Sequence, residues 1–381
     1  MRDKTYSELH EERKNDPRFN NLNITELFEI KKELAAEIKP LEQPWLWENY
    51  IPLETSTLMA GKGGIGKSQF LMWLAAIISN GSTFSTGDQN HEIKQGNVII
   101  FSAEDHPAYT IIPRLMAAGA NLANIHIIES AIDKATKSKE RFIRLDQDIL
   151  AIEKVIEGIG NVKAIFFDPI TAYLGDIKEN RSTEIRSLIL RLNKIAVKYK
   201  LANILNTHTR KSSGNSENIT SASDEIMGSS AWGNTVRMAF SFTRHHDDND
   251  LYICTASKTN HKKPEGLSYR IKQIEITLNK QKIITSKIEW QTGKVNMNAD
   301  EAVNKKAYED KLEIVRAKEF IIRTLSFGSK SRDEIIKAAE NEDITQITLK
   351  RARQALEQEG IKIIMEASQS DRRKFIWYIG K

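Results

Sequence analysis

A glycine-rich octapeptide, GKGGIGKS at residues 61–68, constrains the fold of this chain more than any other stretch. It follows the apolar segment STLMA and leads into SQFLMWLAAIIS, so it fits G-x-x-x-x-G-K-[ST] at a strand-to-helix turn. Glycines let successive main-chain N–H groups point at phosphate oxygens, beside the positive end of the following helix. The octapeptide therefore predicts a nucleoside triphosphate site.

The motif also predicts individual roles. Lys67 is expected to reach the β- and γ-phosphates, and the Ser68 hydroxyl to hold Mg²⁺. The residues predicted to form the phosphate cradle are Gly61, Lys62, Gly63, Gly64, Ile65, Gly66, Lys67, Ser68 and Gln69.

Short apolar segments alternate with helical patterns from about residue 46 to 290. This order predicts an α/β fold with a mostly parallel sheet between helices. The apolar segments interpreted as buried strands are STLMA, NVIIF, NIHII, AIFFD and ANILNTH. The segments LYICTASK and YRIKQIEITLNKQKIITSKIEW predict that the sheet continues as antiparallel strands.

Carboxylates follow two of the predicted strands, at the sheet edge where ligands bind. Asp168 closes AIFFD and is expected to be the second Mg²⁺ ligand. The next residue is Pro169, which cannot act as a base, so another carboxylate must activate the attacking water. Glu104, at the end of NVIIFSAE, is predicted to be that base, with Asp105 as the competing choice.

Six segments in this order carry a resemblance: GKGGIGKS, SAED, FFDPITAYLG, NTHTRK, GSSAWGNTVR and ASKTNH. Together they resemble the RepA-type hexameric replicative helicases of plasmids and phages, within the RecA/DnaB-like P-loop ATPases. The resemblance covers roughly residues 46–290. It implies a RecA-like core, ATP and Mg²⁺ as cofactors, a hexameric homo-oligomeric ring, and single-stranded DNA in the channel of that ring.

The resemblance also implies roles for single residues. His208, after Thr207 in ANILNTH, is expected to sense the γ-phosphate, and Arg210 and Lys211 to contact DNA phosphates. Arg237 and Lys258 are expected to reach the ATP of the neighbouring subunit, and Arg244 is close enough in sequence to substitute for Arg237.

The predicted domain order is an N-terminal helical extension at 1–45, the ATPase domain at 46–295, a linker at 296–311 and a small winged-helix domain at 312–381. Three helical patterns and a hairpin predict the last domain. Its second helix has the capping box Ser331–Glu334. Two basic clusters are expected to contact duplex phosphates: Lys350, Arg351 and Arg353 on the third helix, and Arg372, Arg373 and Lys374 at the wing tip.

The leading interpretation is an ATP-dependent DNA motor of the replicative helicase type from a mobile element. The alternatives are an ATP-dependent DNA-binding regulator or loader that does not unwind DNA, and a RecA-like recombination or clock-type switch ATPase. A single cysteine, Cys254, excludes a disulfide framework and favours a cytoplasmic location. The longest apolar run, residues 70–78, falls short of the roughly 20 residues that span a bilayer.

Overall fold

The computed structural model describes residues 32–86, 89–132, 140–179, 181–209, 231–292, 295, 297–367 and 375–380. The chain divides into two compact units, Met1–Ala299 and Asp300–Lys381. None of the helices within these described ranges is long and apolar enough to cross a membrane.

The first unit is built from strands that alternate with helices. Its strands are β1 Trp45–Trp47, β2 Ile51–Pro52, β3 Ser56–Gly61, β4 Thr83–Thr86, β5 Gln89–Glu92, β6 Asn97–Ser102, β7 Ile125–Ile128, β8 Ala131–Ile132, β9 Glu140–Arg141, β10 Val162–Asp168, β11 Ala202–His208, β12 Met238–Arg244, β13 Leu251–Thr259, β14 Leu267–Leu278 and β15 Gln281–Trp290. Its helices are α1 Lys67–Asn80, α2 Ile112–Ala117, α3 Ile149–Ile159, α4 Ser182–Tyr199 and α5 Ala231–Thr235. The helix α6, Ala299–Val303, lies at the boundary of the two units.

Nine strands form one sheet in the order β15-β14-β13-β12-β3-β11-β10-β6-β7. The pairs from β12 to β7 are parallel, and β12 to β15 are joined by antiparallel pairs. The predicted α/β fold, with a parallel sheet continued by antiparallel strands, is therefore confirmed. Because the parallel strands run in one direction, the phosphate loop, Ser102, Asp168 and His208 all lie at their carboxyl edge.

Alternate side chains of each strand enter two different cores. Met59 of β3 and Ile100 of β6 pack on the side of α1, whereas Leu58 and Ile99 pack on the side of α3 and α4. Burial on both faces explains why the parallel strands are continuous apolar segments in the sequence.

The β14–β15 hairpin is closed by a two-residue turn, and it covers the outer side of α1. Asn279 and Lys280 have φ angles of 49° and 67°, the left-handed pair that a tight hairpin turn requires. The rings of Trp73 on α1 and Trp290 on β15 lie 4.7 Å apart in an edge-to-face arrangement. The phosphate-loop helix thus packs against both the parallel strands and the hairpin at the antiparallel end of the same sheet.

The second unit contains three longer helices and a three-stranded antiparallel sheet in the order β16-β18-β17. Its elements are α7 Lys305–Leu325, β16 Lys330–Ser331, α8 Arg332–Glu340, α9 Gln346–Gln358, β17 Ile363–Ala367 and β18 Phe375–Ile379. The predicted capping box at the start of α8 is confirmed, with Ser331 Oγ accepting from the N–H of Glu334 and the Glu334 carboxylate accepting from the N–H of Ser331. The winged-helix assignment stays a prediction.

Two predictions concern the segments on either side of the ATPase domain. Residues 296–311, predicted to be a linker, contain α6 and the first turns of α7, which begins at Lys305, and the linker assignment stays a prediction. The predicted N-terminal helical extension at 1–45 lies mostly outside the described residues, and its described part contains a single 3₁₀ turn at Ala35–Glu37 before β1 begins.

Candidate nucleotide-binding site

The phosphate loop depends on glycine at two positions where the backbone or its surroundings exclude a side chain. Gly66 caps α1 with a φ of 80°, and a Cβ there would lie 2.7 Å from Cδ1 of Ile271 on β14. A Cβ at Gly61 would lie 2.6 Å from the carbonyl oxygen of Phe242 on β12. Close packing on both sides therefore fixes the path of the loop that the octapeptide predicts.

Lys67 is buried at the first position of α1, with 3% of its surface exposed. Its ammonium donates to the carbonyl oxygens of Gly61 at 2.8 Å and Lys62 at 2.9 Å, and its Nζ lies 3.4 Å from Nδ1 of His208. Burial lowers the pKa of Lys67 to about 8, and the negative charges of Asp168 and Glu104 oppose this effect only in part. An anionic phosphate at this position would restore the charged form.

His208 connects Lys67 to Glu104. Its Nε2 lies 3.2 Å from Oε1 of Glu104, on the opposite side of the ring from Lys67. An ammonium group can only donate, so Nδ1 accepts from Lys67 and the proton lies on Nε2, which donates to the Glu104 carboxylate. The predicted phosphate ligand, sensor and base therefore form one continuous contact chain.

Asp168 lies at the end of β10, beside the phosphate loop. Its carboxylate is 3% exposed and accepts hydrogen bonds from Ser68 and from the side-chain amide of Asn206 on β11. Burial raises the pKa of Asp168, and the two hydrogen bonds oppose that shift. The hydroxyl and the carboxylate are the hard oxygen donors that Mg²⁺ prefers, so Ser68 and Asp168 fit the predicted metal site.

Asp105 and Thr207, the sequence neighbours of the predicted base and the predicted sensor, have other surroundings. Asp105 forms an ion pair with Arg114 at 2.7 Å, whereas Glu104 faces His208. Thr207 is 1% exposed inside the sheet, which leaves His208 as the strand-end residue at the phosphate edge.

The Gln69 side chain does not face the phosphate loop. Its amide nitrogen donates to the carbonyl oxygen of Ser286 on β15 at 2.9 Å, and its amide oxygen accepts from the Ser286 hydroxyl at 2.9 Å. The predicted contact of Gln69 with nucleotide is therefore wrong for its side chain, which instead attaches α1 to the β14–β15 hairpin.

Arg237 and Lys258 lie at the edge of the sheet opposite the phosphate loop. Met238, the first residue of β12, pairs with Thr57 near the start of β3, and Lys258 pairs with Ala239. The ammonium of Lys258 donates to the carbonyl oxygens of Gly233 at 2.7 Å and Asn234 at 3.1 Å. Burial lowers the pKa of Lys258, and the neighbouring charge of Arg237 lowers it further.

Arg244, the alternative to Arg237, lies at the other end of β12. Phe242 pairs with Gly61, so Arg244 is at the phosphate-loop edge of the sheet, with its guanidinium 5.5 Å from the ring centre of Tyr252. Arg237 and Arg244 therefore lie at opposite edges of the sheet, so Arg244 cannot replace Arg237 in its predicted role.

The predicted nucleic-acid contacts are only partly within the described residues. Arg210, Lys211, Arg372, Arg373 and Lys374 lie outside them. Lys350 and Arg351 are exposed on α9. Arg353 is not available in the same way, because its guanidinium donates to Sδ of Met365 at 2.6 Å and lies 5.7 Å from the ring centre of Trp377. Arg353 therefore has a packing contact within the second unit, and its contact with phosphate stays a prediction.

Sequence reasoning missed Asn206, which orients the Asp168 carboxylate. The available signal was an amide inside an otherwise apolar strand, ANILNTH, where a buried polar side chain requires a partner.

Comparison with known proteins gives one family. Residues 25–214 match a family model described as "AAA domain", a P-loop ATPase family. A search of curated protein sequences found no match to this chain. The matched range includes the phosphate loop, Glu104, Asp168 and His208, and it ends before β12.

Proposed function

We propose, for a chain whose residues 25–214 form an AAA-type P-loop ATPase domain, that it is an ATP-dependent DNA motor of the replicative helicase type. In this proposal, copies of the chain assemble into a ring and hydrolyse ATP at their interfaces.

The observation that supports shared sites is the distance of Arg237 and Lys258 from the phosphate loop of their own chain. They lie beside the start of β3, and Gly61 ends that strand. Thr57 and Gly61 are four positions apart along β3, which amounts to about 13 Å. Arg237 and Lys258, at this edge, are therefore proposed to act on the nucleotide of another copy rather than on that of their own chain. A cation supplied in this way stabilises charge on the transferred phosphoryl group, an effect typically worth about 10³–10⁵ in rate.

Within one copy, the chain's own residues bind phosphate and move a proton. Lys67 exchanges the carbonyl oxygens of Gly61 and Lys62 for phosphate oxygens. Glu104 accepts the proton of the attacking water. His208 orients Lys67 and Glu104 through contacts of its two ring nitrogens. Mg²⁺, when bound by Ser68 and Asp168, neutralises charge on the phosphates.

The DNA part of the proposal depends on the family resemblance and on exposed cations. Arg210 and Lys211 follow His208 in sequence, and a single strand in the ring channel is their proposed ligand. Arg351, which is exposed on α9, is proposed to add duplex contacts if the second unit acts as a winged helix. If the chain binds DNA without unwinding it, the alternative function of a DNA-binding regulator or loader would replace this proposal.

A mixing experiment tests the shared site. Lys67→Ala removes the phosphate ligand, and Arg237→Ala removes the cation that is proposed to act on the neighbour. Each variant alone is expected to lose at least 10²-fold in ATPase rate. In an equimolar mixture, random pairing joins an intact phosphate loop with an intact cation at about one quarter of the interfaces, so about that share of wild-type activity should return. A mixture as inactive as the separate variants would exclude a shared site.

Strand displacement on forked DNA tests the motor. Wild-type chain with ATP is expected to release the displaced strand, and Lys67→Ala is the control that should not. ATP-dependent DNA binding without displacement would favour the regulator, and an ATPase rate per subunit that is independent of protein concentration would count against the ring.

A further inference from the structure

The second unit contains an apolar groove of about 500 Å³ between the start of α8, the start of α9 and the hairpin of β17 and β18. Three of its apolar lining residues are exposed: Ile347 at 67%, Met365 at 42% and Phe375 at 48%. Exposed aliphatic and aromatic side chains that line one concavity are typical of a protein-docking surface.

The rim of this groove is basic. Arg332, Lys350 and Arg353 line it, and none of the described residues in its lining is a carboxylate. Arg332 and Lys350 are exposed, and Arg353 is held against Trp377. The groove therefore fits an occupant that combines apolar side chains with negative charge.

A segment of the same chain has this composition. Residues 33–42, ELAAEIKPLE, carry three glutamates and one lysine. Their three large apolar side chains are all exposed: Leu34 at 63%, Ile38 at 57% and Leu41 at 91%. The backbone hydrogen bonds described between residues 33 and 42 are local, from Glu37 to Leu34 and from Ile38 to Ala35. Burial of these three side chains against an apolar surface would remove their apolar area from water, which favours docking.

We infer that residues 33–42 of one copy dock in the α8–α9 groove of a second copy. Leu34, Ile38 and Leu41 bury against the apolar floor, and Glu37 and Glu42 face the basic rim. This docking is independent of nucleotide chemistry, so it goes beyond the proposed motor function.

Duplex DNA is the competing occupant of this surface. Phosphates would be attracted to Lys350 and to its sequence neighbour Arg351, which is exposed but does not line the groove. A duplex, however, would leave Ile347, Met365 and Phe375 largely without apolar contacts, since its backbone is charged. The apolar floor therefore favours a protein segment.

A labelled peptide of residues 33–44 provides the direct test. The receptor is the full-length chain with Leu34, Ile38 and Leu41 replaced by serine, so that its own segment does not compete. We expect saturable binding in fluorescence anisotropy. Ile347→Asp in this receptor should weaken it at least about tenfold, because an apolar side chain at the centre of an interface typically contributes more than 1.4 kcal/mol.

Charge variants separate the two occupants. Lys350→Glu should weaken peptide binding about three- to tenfold, whereas the matched control Arg351→Glu should leave it unchanged. A peptide with all three glutamates replaced by lysine should reverse this order and prefer the Lys350→Glu receptor. Equal losses for both variants, with tighter binding of a duplex than of the peptide, would assign the surface to DNA and overturn the inference.

The oligomeric state gives a second readout that does not depend on the peptide. Light scattering of the chain with Leu34, Ile38 and Leu41 replaced by serine should show a smaller mass than wild type at the same concentration, and Ile347→Asp should match it. Unchanged mass in both variants, together with no peptide binding, would refute the docking. The ATPase mixing experiment would be unaffected by that result, so the two proposals fail separately.

Discussion

Binding of ATP should be accompanied by proton uptake near pH 8, and the amine of Lys67 is the group expected to take up the proton. Burial lowers the pKa of this lysine to about 8 in the free chain, so a large share of the side chains is neutral at that pH. Phosphate oxygens favour the ammonium form, so the complex holds more protons than the free chain. By linkage, affinity then falls as the pH rises above the pKa of the free chain.

The magnitude follows from that pKa. At pH 8 about half of the Lys67 side chains are neutral, so binding should take up about 0.5 proton for each nucleotide. Between pH 7 and pH 9 the charged fraction of the free chain falls from about nine tenths to about one tenth, which weakens binding about tenfold.

Titration calorimetry with a non-hydrolysable ATP analogue and Mg²⁺ measures this effect, in buffers of different ionisation enthalpy at each pH. Lys67→Arg is the matched control, because a guanidinium stays charged throughout this range. The variant should lose most of the proton uptake at pH 8 and most of the pH dependence above it. Equal proton uptake in wild type and Lys67→Arg would show that another group titrates and that Lys67 is fully charged in the free chain.

Three further variants test particular contacts. Gly66→Ala should abolish nucleotide binding and lower the melting temperature, because its left-handed φ and the side chain of Ile271 both exclude a Cβ; normal binding in an affinity titration would contradict the observed loop path. Gln69→Ala should cost about 1–3 kcal/mol in denaturant unfolding, since Ser286 loses both hydrogen bonds, while nucleotide affinity stays within about twofold; a large affinity loss would return Gln69 to the site. Arg353→Ala should destabilise the second unit by about 1–2 kcal/mol and leave the salt dependence of DNA binding unchanged, and a reduced salt slope would show a phosphate contact.

The sequence predicted best where one physical rule determines both the pattern and the position. Parallel strands bring their carboxyl ends to one edge, so the sequence alone predicts that Glu104, Asp168 and His208, which follow or end such strands, lie close together. The same rule does not predict the role of Asn206, because the partner of an amide within a buried strand can be identified only when the neighbouring strand is known.

Other details depend on interactions between segments that are distant in sequence. The early part of α7 has few apolar residues, yet a helix extends beyond its packed face once later turns are anchored, here by Ala317 and Phe320 in the core of the second unit. Arg353 has the same charge as its neighbours on α9, and only the position of Trp377 shows its packing contact. Gln69 likewise depends on β15, more than two hundred residues later.

The position of β3 inside the sheet has a consequence for how the chain matures during synthesis. This strand, which carries the phosphate loop, has β11 on one side and β12 on the other, and β12 follows the family-matched range. A chain that has emerged only to residue 214 therefore has an open row of main-chain donors and acceptors along β3 and an uncovered aromatic flank on α1. The smallest fragment that forms a complete nucleotide pocket should extend through Trp290, and shorter fragments should associate through the unpaired edge of β3 instead of folding.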